Sequence, residues 1–367
     1  MYLHTDYQPH ESPLFMVMDD PVLHEFISYL DSCKRDQEMH PENPIRIELS
    51  RALLAQVKEK FRQRILRGER NLHIASHVLA SHFLGGDVEL HSNVIGMLPV
   101  SEDRPFLIRE RITGERLFSH TDLDLGNHML LNFMYQGKDG WAPLTLAANF
   151  VEYLPKKRGR LGVNRITSRV KAEEELWNKV VDELFTLDEL VKRDKHLYQF
   201  SKFVKDVFGI KIVCENESFC HKILECLRHL RVAEINWGSF PDPDGLQDAS
   251  TRAGGDRLVL EFIETKDYLT CDPSEMKKTG WKALKSVVRW NNELLEIQIQ
   301  PLDNYYMELD HMAGPSHNSF KLIRDTVREE VSAHIPLYGF YRDLLRSIFL
   351  DSGVPISAEN ATVVITD

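Results

Sequence analysis

Cysteine is scarce in this chain, and its few cysteines form no metal-binding pattern. The 367 residues include 5 cysteines, an odd number that contains no Cys-x-x-Cys pair. Neither a disulfide-stabilised scaffold nor a cysteine zinc cluster is indicated by this pattern. Reduced thiols are typical of a cytosolic protein, and we therefore predict a cytoplasmic location.

Long apolar runs are also missing. No segment approaches the roughly 20 apolar residues that a membrane-spanning helix needs. The first residues, MYLHTDYQPHESPLF, lack the basic and apolar regions of a signal peptide. We therefore expect no membrane association.

The chain has no overall excess of positive charge. Its formal net charge is -11 at pH 7, which argues against a protein that coats nucleic acid over its whole surface. The segment 156–171 is an exception, because it contains seven basic residues and no acid. These residues are Lys156, Lys157, Arg158, Arg160, Arg165, Arg169 and Lys171. The segment either grips an RNA backbone or is a solvated linker between domains.

Length and composition are those of a globular protein with about two domains. The chain is 43% hydrophobic and 28% charged, close to the averages for such proteins. Gly137, Gly140 and Pro143 mark a loop-like stretch. We therefore predict a domain boundary near residue 150, which gives an N-terminal domain over 1–150, a second domain over 151–345 and a C-terminal tail over 346–367.

The N-terminal domain is predicted to be largely helical. Apolar residues at helical spacing indicate a helix over 45–66, with Leu49, Phe61 and Ile65 on its buried face. His73 and His77 are four residues apart and could present two imidazoles to a metal ion. Because no HExxH or His-Asp motif accompanies them, we interpret them as ordinary helical histidines. We predict no chemistry for residues 120–134.

Residues after 150 alternate between helical and strand patterns, which predicts an α+β fold with a mixed β-sheet flanked by helices. The predicted helices cover 172–192, 218–230, 319–335 and 340–350. The predicted strands cover 203–214, 232–237, 257–264, 284–290 and 294–300. The tail after Gly353, which ends in ATVVITD (361–367), either adds an edge strand or stays loose.

Two acidic residues interrupt apolar strand patterns. Asp206 lies within the strand predicted over 203–214, and Glu296 lies within the alternating segment 294–300. A buried acid is costly unless it is paired or binds a metal ion. Two acids on neighbouring strands suit a Mg²⁺ ion that holds nucleotide phosphates. Alternatively, Glu296 faces solvent and Asp206 pairs with a neighbouring lysine.

Four segments, in order along the chain, resemble the synthetase domain of the RelA/SpoT family, especially the small alarmone synthetases. They are SRVKAEEELWNK (168–179), KDVFGIKIV (205–213), KDYLTCDPSEMKKTGWKALK (266–285) and LLEIQIQPLDNYYMELDHM (294–312). The resemblance implies a nucleotidyltransferase-like fold over about 155–335. It also implies transfer of pyrophosphate from ATP to the 3′-hydroxyl of GDP or GTP. Residues 1–150 resemble no part of the family's hydrolase, so we do not predict alarmone hydrolysis.

The resemblance also implies roles for individual residues. ATP phosphates would contact Arg169, Lys171 and Lys179. Asp206 and Glu296 would hold Mg²⁺, and Glu296 or its bound water would act as the base. The acceptor nucleotide would contact Lys277, Trp281, Lys285, Gln298 and Asp310. The chain departs from the usual family residues at Glu175, Lys211, Lys285 and Gln300.

These departures leave two further functions open. One is an enzyme that places pyrophosphate on the 3′ end of tRNA, with the segment 156–171 on the RNA backbone. The other is a nucleotide-binding regulator that has kept the fold and lost turnover. The role of residues 1–150 is not predicted. Small members of the family often assemble, so a homo-oligomer is a further open alternative.

Overall fold

The protein is described here by a computed structural model. The described residues are 20–85, 87–98, 101–137, 140–170, 173–185, 207–231, 234, 258–271, 281–291, 293–312, 328–333, 335–350 and 361–367. The helices are α1 (Pro21–Met39), α2 (Arg51–Leu84), α3 (Gly114–Ser119), α4 (Asp122–Leu130), α5 (Glu173–Leu184), α6 (Glu217–His229), α7 (Leu302–Met312) and α8 (Pro336–Leu350). Residues 328–333 are also helical, and Arg160–Gly162 form a 3-10 turn.

The strands alternate with these helices along the chain, as expected for an α+β protein. They are β1 (Ile45–Ser50), β2 (Val88–Leu98), β3 (Ser101–Ile112), β4 (Met134–Gly137), β5 (Gly140–Pro143), β6 (Thr145–Pro155), β7 (Val163–Val170), β8 (Phe208–Cys214), β9 (Glu261–Asp267), β10 (Leu284–Trp290), β11 (Glu293–Pro301) and β12 (Ala361–Thr366).

Eight strands form one mixed sheet in the order β3-β2-β6-β7-β8-β11-β10-β9. The β8–β11 pair is parallel, and the other neighbouring pairs are antiparallel. Helix α6 packs on β8, β10 and β11, and it buries Ile223 and Leu227. The predicted α+β class with a mixed sheet flanked by helices is confirmed.

The chain forms two compact units, each assembled from separate stretches of sequence. The first unit contains 1–67, 171–207 and 320–367, and the second contains 68–170 and 208–319. The chain passes between the two units four times, and the first of these boundaries falls within α2. The complete eight-stranded sheet belongs to the second unit.

The first unit contains a parallel pair of strands and an aromatic core. Strand β1 pairs with β12 from Ile45 opposite Ala361 onward. The rings of Trp177 and Phe349 are stacked at a centroid distance of 3.6 Å. Phe61 from α2 contacts both of these rings. The aromatic core therefore joins helices that are far apart in sequence.

The prediction that a helix begins at residue 45 is wrong, because residues 45–50 form β1. Ile45, Ile47 and Leu49 are buried, and the residues between them are not, which is the two-residue period of a strand. The helix begins at Arg51, and the backbone N–H of Leu53 donates to Ser50 Oγ at 3.1 Å. Of the two alternatives for the C-terminal residues, the strand is the one observed, although β12 pairs with β1 and not with the main sheet.

Residue 150, where the sequence predicts a domain boundary, lies inside β6. Strands β2 and β3 before it and β7 after it belong to the same sheet. We assigned no strand to residues 1–150 from the sequence. In β2, the neighbouring polar residues Ser92 and Asn93 are buried, so the apolar alternation that identifies a strand is weak. Separate roles for the three predicted regions stay a prediction.

Candidate functional site

A row of polar side chains crosses the main sheet on one face. The strand register places Lys285 opposite Gln298, Gln298 opposite Lys211, and Lys211 opposite Thr167. Thr167 in turn lies opposite Glu152. Because directly paired residues point to the same face of a sheet, these side chains share one surface. We call this surface, formed by β6, β7, β8, β10 and β11, the polar face.

A second row lies beside the first on the polar face. Glu296 on β11 is opposite Gly209 on β8, and Gly209 is opposite Arg169 on β7. Glycine has no side chain to fill the space between the two charged residues. Leu295 and Ile297 point to the other face and are each 1% exposed. The predicted alternation along β11 is therefore confirmed.

Glu296 is buried, although it lies on the polar face. It is 3% exposed, which contradicts the alternative that it faces solvent. Its Oε1 accepts a hydrogen bond from Gln298 Nε2 at 2.5 Å. Its Oε2 forms an ion pair with Lys285 Nζ from the neighbouring strand. These two partners offset the cost of placing a carboxylate out of water.

Glu308 on α7 is a second carboxylate at the polar face, and our sequence analysis missed it. Lys211 Nζ lies 2.5 Å from Glu308 Oε1, and Gln300 Nε2 donates to Glu308 Oε2 at 3.1 Å. Burial raises the pKa of Glu308, but Lys211, Gln300 and Arg169 outweigh it and hold the pKa below its ordinary value. Glu308 lies one helical turn after Asn304 on α7, and this spacing is the sequence signal that could have identified it.

Gln300 and Asn304 fix α7 against the end of β11. Asn304 Nδ2 donates to Gln300 Oε1 at 2.7 Å, and both residues are buried. Asn304 Oδ1 accepts from the backbone N–H of Lys282 at 2.9 Å. The residue before Lys282 is Trp281, so this network also positions the predicted acceptor-binding segment.

Arg165 connects the polar face to β6 and α7. Its guanidinium donates to Glu152 Oε1 at 2.7 Å and lies 5.1 Å from the ring centroid of Tyr305 and 5.6 Å from that of Tyr306. Glu152 Oε2 also lies 3.0 Å from Arg109 Nη2. Arg165 is therefore held by an ion pair and by contacts with two aromatic rings.

The rest of the basic segment connects two strands of one sheet. Residues 156–162 lead from β6 to β7, so the interdomain-linker alternative is wrong. Lys156 pairs with Asp87 at 2.6 Å, and Arg158 pairs with Glu215 at 2.7 Å. RNA binding by this segment stays a prediction.

The predicted base-stacking residue Trp281 lies beside another aromatic ring. Its ring centroid is 5.6 Å from that of Tyr268, at an interplanar angle of 60°. Burial raises the pKa of Asp267, but hydrogen bonds from Thr270, His221 and the following backbone amides lower it to about 2. Asp267 is therefore ionised, and it orders the turn that carries Tyr268.

The structure brings four of the predicted site residues to the polar face. These are Arg169, Lys285, Glu296 and Gln298. Asp206, Lys171 and Lys277 lie outside the described residues. Lys179 lies on α5 and Asp310 on α7, but their side chains are outside the described part of the chain. The proposed roles of all these residues stay predictions.

The described half of the predicted magnesium site does not accommodate the ion in this arrangement. Mg²⁺ binds oxygen ligands and would be repelled by an ammonium group. The two carboxylate oxygens of Glu296 contact Gln298 and Lys285. Lys285 would have to move before Glu296 could bind a divalent ion.

The helices in the described ranges include none with the length and apolar character needed to cross a membrane. No family model matches the chain, and the search of curated proteins gives no match.

Among solved structures, the chain is similar to small alarmone synthetases and a related protein. Small alarmone synthetase 1 from Bacillus subtilis, bound to its product pppGpp, has 16% identity and a TM-score of 0.23, with 51% of this chain and 80% of that chain covered. A GTP pyrophosphokinase family protein from Streptococcus pneumoniae has 16% identity and a TM-score of 0.23, with 51% and 79% covered. Small alarmone synthetase 2 from Bacillus subtilis has 16% identity and a TM-score of 0.24, with 51% and 82% covered. A likeness at this level does not indicate the reaction that this chain performs.

Proposed function

We propose that this chain is a pyrophosphokinase that transfers pyrophosphate from ATP to the 3′-hydroxyl of GDP or GTP. The observation that carries the proposal is the polar face, where the buried carboxylate of Glu296 lies among cationic side chains of β7, β8 and β10. The cations are Arg169, Lys211 and Lys285. The ordered resemblance of four segments to RelA/SpoT synthetases supports the same reaction.

The cations of the polar face suit a polyphosphate. Arg169 offers a planar guanidinium that can donate two parallel hydrogen bonds to a phosphate. Lys211 and Lys285 offer point charges on the next strands, and their side chains are 20% and 23% exposed. Partly buried cations attract anions more strongly than fully solvated ones, since water screens them less. ATP phosphates would therefore bind across β7, β8 and β10.

Glu296 would take the proton from the attacking hydroxyl. In the structure, Lys285 neutralises one of its oxygens. An incoming phosphate would compete for the Lys285 ammonium and release Glu296 Oε2 as a base. Substrate binding would thus expose the base at the time when it is needed. Mg²⁺, with Asp206 and Glu296 as its ligands, remains part of the proposal through the family resemblance alone.

A second candidate is a nucleotide-binding regulator without turnover. The Lys285–Glu296 ion pair favours it, because the ammonium occupies the carboxylate oxygen that would have to accept the proton. Lys211 and Gln300 both bind Glu308, at positions where the family has arginine. Such a protein would bind nucleotides on the polar face and release no AMP.

The test is a transfer assay on the full chain. The protein is incubated with Mg²⁺ and ATP labelled at the β or γ phosphate, with GDP, GTP, ATP or bulk tRNA offered separately. We expect label on GDP or GTP together with release of AMP. Glu296→Gln should lower turnover by roughly 100-fold or more, because it removes the base and keeps the shape of the side chain.

Glu264→Gln is the matched control. Val287 on β10 is opposite Glu296 on β11 and also opposite Glu264 on β9. Glu264 is therefore an acid in the same row as Glu296, two strands away. This variant should retain wild-type turnover. Label on tRNA would instead identify the RNA-directed enzyme. Nucleotide-induced thermal stabilisation without transfer to any acceptor would contradict the pyrophosphokinase proposal and support the regulator.

A further inference from the structure

Three ionisable side chains that are not part of the polar face meet inside the second unit. Glu69 and His73 lie one turn apart on α2, and Asp122 is the first residue of α4. Their side chains are 6%, 2% and 2% exposed. One nitrogen or oxygen atom of each lies within 4.8 Å of the others. The fold therefore places one imidazole and two carboxylates around a common point.

The backbone around this cluster is held firmly. The N–H of Asp122 donates to Glu69 Oε1, and Asn149 Nδ2 donates to the backbone oxygen of Asp122. The first bond caps α4 and fixes the Glu69 carboxylate at the start of that helix. The positions of the cluster residues are thus set by contacts that leave several of their polar atoms available.

His73 Nε2 lies at ion-pair distance from both carboxylates, but without the geometry of a hydrogen bond. His73 Nε2 lies 3.2 Å from Asp122 Oδ1 and 3.6 Å from Glu69 Oε1. Among the described residues, neither Asp122 side-chain oxygen nor either His73 ring nitrogen has a partner with hydrogen-bond geometry. Buried polar atoms without partners are rare, and an unseen ion is one of their explanations.

Charge balance indicates the kind of ligand. Two buried carboxylates share a single imidazole, and a cation bound between them would allow both to stay ionised out of water. One nitrogen and two oxygen donors suit divalent transition metals, whereas Mg²⁺ and Ca²⁺ prefer oxygen donors alone. A water molecule would complete the coordination.

We propose that Glu69, His73 and Asp122 bind a divalent transition-metal ion that ties α4 to α2. The spacing of Glu69 and His73 presents both side chains on one helix face, and Asp122 supplies the third ligand from a distant segment. An ion held this way binds the folded protein and not the unfolded chain, so it stabilises the fold. The proposal is independent of the pyrophosphokinase reaction.

The test measures metal binding directly. Untagged full chain is stripped with a chelator and titrated with Zn²⁺ or Mn²⁺ by calorimetry, and its thermal unfolding is followed with and without each ion. We expect a site of one ion per chain and a rise in Tm. Mg²⁺ at the same concentration should leave Tm unchanged.

Three variants locate the site. His73→Gln and Asp122→Asn should each weaken binding by roughly 100-fold, since each removes a ligand and keeps a polar side chain of similar size. His77→Gln is the matched control, because it makes the same change one turn further along α2. His77 Nε2 lies 3.3 Å from Ser81 Oγ. This variant should keep wild-type affinity.

The proposal fails if the wild-type chain binds neither Zn²⁺ nor Mn²⁺, or if His73→Gln and Asp122→Asn bind as tightly as wild type. If a variant does not fold, the visible absorption of wild-type protein with one equivalent of Co²⁺ decides. A spectrum of nitrogen and oxygen coordination that Zn²⁺ abolishes supports the site. A spectrum equal to that of aqueous Co²⁺ overturns it.

Discussion

Glu296 shows how one residue can be both buried and reactive. It lies on a strand whose other face is apolar, and within the described ranges Gln298 and Lys285 hold it. Burying a paired carboxylate gains little stability, but removing one partner leaves a charge out of water. The energetic role of the pair should therefore appear only when its two members are changed separately and together.

Lys285→Met should lower the free energy of unfolding by about 3 kcal/mol, because it leaves the Glu296 carboxylate buried without a cation. The double variant Lys285→Met with Glu296→Met should recover most of that loss, since both charges are gone. Urea denaturation of the wild type, both single variants and the double variant measures the coupling.

The exposed pair of Arg289 and Glu261 provides the comparison on the same sheet. Its atoms are 3.0 Å apart, but the side chains are 27% and 63% exposed. The same cycle of methionine substitutions there should give a coupling below about 1 kcal/mol. Equal coupling in the two pairs would show that burial does not strengthen the Lys285–Glu296 interaction.

Single residues differ in how far the sequence identifies them. The alternation around Glu296 is local, and it predicts the correct face of β11. Glu308 and Asp122 acquire partners only through folding, because Lys211 and His73 lie far away along the chain. The periodicity of a sequence describes spacing within one helix or strand. It therefore could not predict ion pairs between residues on different elements.

At the scale of an element, α2 shows how local signals set the ends of a helix while packing sets its interior. The helix begins after Ser50, and Gly85, with a φ of +85°, follows its last residue. A glycine at this position ends a helix without steric cost. Inside the helix, Gly68 lies against the ring of Phe208 on β8. The sequence alone shows a glycine in a helix and not the ring that requires it.

Gly68→Ala should destabilise the protein by about 1–3 kcal/mol, because the added methyl group would overlap the Phe208 ring. Helix propensity alone predicts the opposite sign, a gain of about 1 kcal/mol. Thermal and urea unfolding of the single variant distinguish the two outcomes.

A size-exchange variant is the control for this packing. Phe208→Leu removes part of the ring, so the double variant Gly68→Ala with Phe208→Leu should be more stable than the sum of the two single effects predicts. A Gly68→Ala variant that is more stable than wild type would contradict the packing explanation.

At the scale of the whole molecule, the main sheet extends well beyond the part that resembles a known family. Strands β8, β10 and β11 are rich in Val, Ile and Leu and could be predicted. Strands β2 and β3 could not, since polar residues interrupt β2 and most apolar signals nearby are helical. The resemblance begins near residue 155, but β6 pairs with β7 across that position. The sheet therefore depends on sequence from both sides.

A fragment of residues 151–345 should aggregate when expressed alone. It lacks β2, β3 and the first part of β6, so the remaining residues of β6, 151–155, would expose the backbone edge that pairs with β2 in the full sheet. A fragment of residues 68–319 keeps all eight strands and serves as the control. Size-exclusion chromatography of both fragments and the full chain is the measurement. A monomeric 151–345 fragment would show that the added strands are dispensable.

The β1–β12 pair has a consequence for the order in which the chain can fold during synthesis. β1 (Ile45–Ser50) leaves the ribosome long before β12 (Ala361–Thr366). Until β12 has emerged, the backbone of β1 lacks its pairing strand, and an unpaired apolar strand is a binding site for chaperones or for other nascent chains. The main sheet, in contrast, has all its strands once residue 301 has emerged. Newly made copies of this protein should therefore pass through a state in which the main sheet is complete and β1 is not yet paired with β12.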